Sequence, residues 1–77
     1  MKTISIDLHG LTVSESKSLL LRELKQCPKN VTEIEVIHGC NGGQAILKMV
    51  RSFSHPLVER KILGLNNGVT ILVLKQR

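Results

Sequence analysis

The sequence predicts an α/β fold: a two-layer sandwich of order β-α-β-α-β-β, with a four-stranded mixed sheet and two helices on one face. Three observations predict it. Apolar residues alternate with period 2 over residues 3–8 and 31–37, and each stretch leads through a glycine into a segment of helical period. Two β-rich runs close the chain around Asn66-Asn67-Gly68, residues that supply the positive φ a tight turn needs. Strands joined through a helix are normally parallel with right-handed crossovers, whereas a short turn makes the last pair antiparallel.

In the first strand, Ile4, Ile6 and Leu8 share one face, and Thr3, Ser5, Asp7 and His9 share the other. Gly10 ends it. Thr12 stands three residues before Glu15, the spacing of a capping box. The helix it opens runs to about Cys27, with Leu20, Leu24 and Cys27 on one stripe, and Pro28 stops it. In the second strand, residues 31–37, Ile34 and Val36 oppose Glu33 and Glu35. It ends in His38-Gly39-Cys40-Asn41-Gly42-Gly43. Ile46, Met49, Val50 and Phe53 then form the stripe of a second amphipathic helix that ends before Pro56. The final strands are expected at about 59–63 and 69–74. The last is almost wholly apolar, which suits a central position in the sheet. If the far face of the sheet is open, Leu72 and Leu74 are expected on it as a patch for weak self-association, so that the protein is a monomer or weak homodimer.

At 77 residues and 8.5 kDa, with 42% apolar side chains, residues 1–77 are expected to form one domain. Eleven Lys and Arg against six Asp and Glu give a net charge of +5, which favours a polyanionic partner or a phosphate ligand. Phe53 is the single aromatic residue, which excludes a surface that stacks several bases on rings. Cys27 and Cys40 form no CxxC pair and are expected to be reduced thiols of a cytoplasmic protein. No signal peptide and no membrane span are expected, since no apolar run approaches the roughly 18 residues a span requires.

Parallel strands bring their C-terminal ends to one edge of the sheet, where ligands of open α/β sheets bind. The topology therefore gathers Asp7, His9, His38 and the glycine loop, although the two histidines are far apart in sequence. Gly39, Gly42 and Gly43 let an anion approach the backbone closely, and the helix dipole beginning near Gln44 favours a phosphate there. Asp7 is the only aspartate, and Glu33 and Glu35 lie mid-strand, so the clustered carboxylates of a two-metal nuclease are missing. Neither a metal nor a cofactor is expected. Histidine acid–base catalysis is the more economical chemistry, with one group taking a proton from the attacking hydroxyl and another protonating the leaving oxygen. Each residue also has a plain structural use. Asp7 and His9 can cap the turn at Gly10, His38 can be a buried imidazole bonded to a loop carbonyl, and His55 can simply end a helix.

Asp7-Leu8-His9-Gly10-Leu11, then Val36-Ile37-His38-Gly39 with its glycine-rich loop, and the closing Gly68-Val69-Thr70 resemble the small MutS-related (Smr) domain along essentially the whole chain. The resemblance implies a fold related to the C-terminal domain of bacterial translation initiation factor 3. It also implies nucleic-acid binding and, in several members, DNA nicking or RNA endonuclease activity. The family's two motifs fall on Asp7, His9 and Gly10 and on His38, Gly39 and Gly43. The usual HGxGxG pattern is altered: residue 41 is Asn and the glycine stands at 42, while the leucine–basic pair after the loop is shifted to Leu47-Lys48.

Three functions follow as expectations. One is an endonuclease with His9 and His38 as acid and base, Asp7 orienting, and Gly39, Asn41, Gly42 and Gly43 binding phosphate. Another is a non-catalytic module that grips a DNA or RNA backbone through Lys48, Arg51, Arg60, Lys61 and Lys75. A domain for a phosphorylated small molecule is a third.

Overall fold

The structure is a computed structural model that describes residues 2–39, 44–66 (backbone only at 64–66) and 68–75. The elements are β1 (Lys2–Asp7), α1 (Val13–Gln26), β2 (Val31–Ile37), α2 (Ala45–Ser52), β3 (Val58–Asn66) and β4 (Val69–Leu74). The sheet order is β1-β2-β4-β3, with β1 and β2 parallel and β4 antiparallel to both its neighbours. β4 is therefore central, as its apolar sequence requires.

Local chemistry sets the boundaries of α1. The Thr12 hydroxyl accepts from the Glu15 N–H at 3.0 Å, and the Glu15 carboxylate accepts from the Thr12 N–H at 2.9 Å. Two donors left over at the helix start are thus satisfied reciprocally. These bonds hold the Glu15 carboxyl below its ordinary value, the backbone bond to Thr12 contributing most. Cys27 follows the helix in extended conformation, before Pro28.

Both helices pack on the same face of the sheet. Leu20 and Leu24 from α1 and Val50 from α2 join Ile6, Leu8, Ile34, Val36, Leu72 and Leu74 in one buried cluster, closed by Phe53. The expectation for the last strand is corrected here. Leu72 is fully buried and Leu74 nearly so, beneath the helices, and Val69, Ile71 and Val73 take the opposite face. The expected patch of Leu72 and Leu74 does not exist. β3 also runs longer than its apolar run indicates, because Asn66 pairs with Val69. No helix among the described residues is long and apolar enough to cross a membrane.

Candidate functional site at the C-terminal edge of the parallel strands

The β1–β2 ladder continues one bond past β1, where the Leu8 N–H donates to the Ile37 carbonyl at 2.7 Å. Leu8 is thereby fixed in the core, and the chain turns upward at His9 and Gly10. Gly10 has φ +82°, the left-handed region that an L side chain enters only at a cost. In this turn the Asp7 carboxylate accepts from the His9 backbone N–H at 3.0 Å and bonds the His9 ring at Nδ1 over 2.9 Å. A carboxylate only accepts, so Nδ1 carries the proton and, in the neutral ring, Nε2 holds the free lone pair. The His9 ring and then the His9 N–H lower the Asp7 carboxyl from its ordinary value. Both side chains face water, His9 at 75% and Asp7 at 53% exposure. The pair is an oriented, accessible imidazole.

His38 is built differently. It continues the inward face of Ile34 and Val36 and is only 7% exposed. Nδ1 lies 3.1 Å from the Gly39 carbonyl and Nε2 lies 2.9 Å from the Thr70 hydroxyl. A carbonyl cannot donate, so Nδ1 is the protonated nitrogen, and the neutral ring accepts the Thr70 proton at Nε2. Both ring nitrogens are thus engaged. The backbone reinforces this junction, since the N–H groups of His38 and Gly39 both donate to the Gly68 carbonyl, at 2.9 and 3.1 Å. Thr70 is buried beside them; the sequence names it only as part of the closing Gly68-Val69-Thr70 motif, without a role. The available signal was a lone hydroxyl residue within the apolar run of residues 69–74.

The two motif segments touch. Gly39 has φ +74°, and a methyl group placed on it would meet the Cβ of His9 at 3.7 Å. Asp7, His9, His38 and Gly39 therefore come together at one edge. The expected phosphate ligands Asn41, Gly42 and Gly43, and Cys40 with them, lie outside the described residues.

The basic residues do not gather at this edge as a group. Lys48 stands exposed in the first half of α2, nearest to it. Arg51 is at the other end of that helix, where the Lys61 ammonium donates to its backbone carbonyl at 2.6 Å. Arg60 shares a cross-sheet row with Val73, Glu33 and Thr3, four residues along β1 from Asp7, or about 13 Å. A cleft of about 310 Å³ between residues 52–55 and 58–61 opens there, lined in part by His55, Arg60 and Lys61. The His55 ring accepts the Leu57 N–H at Nδ1 and stacks beside Phe53, a loop-closing role. Among the described residues no three or more His, Cys, Asp or Glu side chains are arranged to hold a metal ion.

The fold matches a solved structure, the Smr domain of Thermus thermophilus MutS2, with a TM-score of 0.73 and 26% identity. The match covers 92% of this chain and 96% of that one. No curated protein matches the chain. The family model for the Smr domain matches residues 6–63, from the end of β1 and the His9 turn through the glycine loop to β3. By that match and the shared fold, the chain belongs to the Smr domain family.

Proposed function

We propose that this domain binds the backbone of DNA or RNA and cleaves it at the Asp7–His9 edge, with His9 moving the proton. The observation that carries this proposal is the division between the two histidines. His9 is exposed, oriented by Asp7 and bonded at Nε2 to none of the described residues, whereas His38 is buried with both nitrogens occupied. On RNA, His9 Nε2 takes the proton of a 2′-hydroxyl, whose oxygen attacks the adjacent phosphorus. The bond from phosphorus to the 5′-oxygen breaks, and that oxygen leaves with a proton from water. The ends formed are a cyclic phosphate and a 5′-hydroxyl. On DNA the same nitrogen activates a water molecule instead. His38 holds Gly39 in its left-handed conformation beside His9, and the loop with Asn41, Gly42 and Gly43 receives the phosphate. Backbone contacts come from Lys48 and Arg51, and farther off from Arg60 and Lys61.

The test is cleavage of structured RNA and supercoiled DNA by the pure protein. His9→Ala is expected to lower the rate by about 10²- to 10⁴-fold, the usual range for a lost acid–base group, with affinity retained. Undiminished cleavage in that variant refutes the assignment. The non-catalytic module is the second reading, favoured by the excess of Lys and Arg over acidic residues. It predicts salt-sensitive binding with no cleavage in the wild type.

A further inference from the structure

We propose that the helix-free face of the sheet is the docking site for a positively charged amphipathic helix of another protein. The strand registers define this face. Its three rows run Thr3–Glu33–Val73–Arg60, Ser5–Glu35–Ile71–Ile62 and Asp7–Ile37–Val69. Val69, Ile71 and Val73 thus form a stripe along β4, widened by Ile37 on one side and Ile62 on the other. Ile71 is only 9% exposed, yet it stands outside the core cluster, because its strand neighbours rather than any helix surround it. The stripe is about 13 Å long and spans three strands, about 10 Å, which matches two turns and the width of one α-helix.

Charge selects the occupant. The three rows hold Asp7, Glu33 and Glu35, half of the chain's six acidic residues, against Arg60 alone. The three rows are therefore −2 on a chain of +5, with Lys75 just beyond them at the end of β4. A nucleic-acid backbone has the wrong sign for the Glu33–Glu35 line, and Arg60, which can still meet one, stands apart from that line on the edge strand β3. Ser5 donates to Glu35 at 2.9 Å and Thr3 to Glu33 at 3.4 Å, so the two carboxylates are held in a line beside the stripe. A helix with an apolar face on β4 and Lys or Arg along one flank meets both features at once. A second copy meets them less well: a two-fold axis across the strands lays Glu33 and Glu35 on their own counterparts, and one parallel to the strands between β2 and β4 lays them on the partner's apolar stripe. The row ending in Asp7 puts the docked helix beside the His9 edge without covering the helix side of the sheet.

The probe is a synthetic helix of Leu and Lys, roughly 18 residues or five turns, with Leu at i, i+3, i+4 and i+7. Its binding to the full chain is followed through the methyl NMR signals of Ile37, Ile62, Val69, Ile71 and Val73. Those signals are expected to shift together. Glu33→Gln with Glu35→Gln, which keeps the bonds to Thr3 and Ser5, is expected to weaken binding at least about tenfold, as is exchange of the peptide's Lys for Glu. Shifts confined to the α1–α2 side, or affinity indifferent to both changes, overturn the proposal. So does concentration-dependent dimerisation that broadens these same methyls, since the face is then its own partner.

Discussion

At the scale of single residues, the two histidines of the motif differ in what water can reach. The Asp7 carboxyl lies below its ordinary value because the His9 ring and N–H bond its charged form. A folded-state value below the unfolded one contributes stability above the ordinary carboxylate range, and that contribution is lost as pH falls through the lowered value. Proton NMR titration is therefore expected to place the Asp7 midpoint below that of an ordinary aspartate, and His9→Ala is expected to raise it. An unchanged midpoint in that variant would mean that the pair is not formed. Thr70 offers a second check. Thr70→Val removes the donor to His38 Nε2 within a buried site and is expected to cost about 1–3 kcal/mol in denaturant unfolding. Thr70→Ser is expected to restore the Nε2 bond, visible in the ¹⁵N shifts of the His38 ring, while Val leaves that nitrogen without its partner. Asp7, His9 and His38 were legible in the sequence because two parallel strands must end at one edge. The contrast between them was not, because burial of an imidazole depends on Thr70, thirty-two residues away.

Among the elements, alternation decided what the sequence alone could resolve. β1 and β2 alternate apolar with polar residues, and their inward faces are as expected. The capping box at Thr12 and Glu15 likewise sits where the spacing puts it. β4 carries apolar side chains on both faces, so its own pattern holds no phase, and the phase comes from Thr70 turning inward to His38. The consequence is measurable. Leu72→Ala is expected to cost about 2–5 kcal/mol, since a fully buried core side chain is removed. Ile71→Ala, on the face without helices, is expected to cost clearly less. Equal losses by chemical denaturation would contradict the assigned phase.

For the molecule as a whole, the separation of charge matters more than its sum. The acidic residues of the strand face lie apart from most of the basic ones, so the two proposed partners, nucleic acid and a cationic helix, do not compete for the same surface. The logarithm of nucleic-acid affinity is expected to fall linearly with the logarithm of salt, with Lys48→Ala and Arg51→Ala each reducing the slope by roughly one. Glu33→Gln with Glu35→Gln is expected to leave that slope unchanged. A slope altered by the carboxylates would put the backbone on the wrong face. The +5 composition pointed to a polyanion partner, but the acidic face was not legible, because Asp7, Glu33 and Glu35 become neighbours only through the pairing of β1 with β2.

The central place of β4 bears on how the protein comes into being. During synthesis, β1, α1, β2, α2 and β3 all leave the ribosome before β4, the strand that must lie between β2 and β3. Until it is made, β2 and β3 have no strand between them, His38 has no Thr70, and the N–H groups of His38 and Gly39 have no Gly68 carbonyl to meet. The contacts that hold His38 and Gly39 at the motif edge therefore cannot form until β4 has been made.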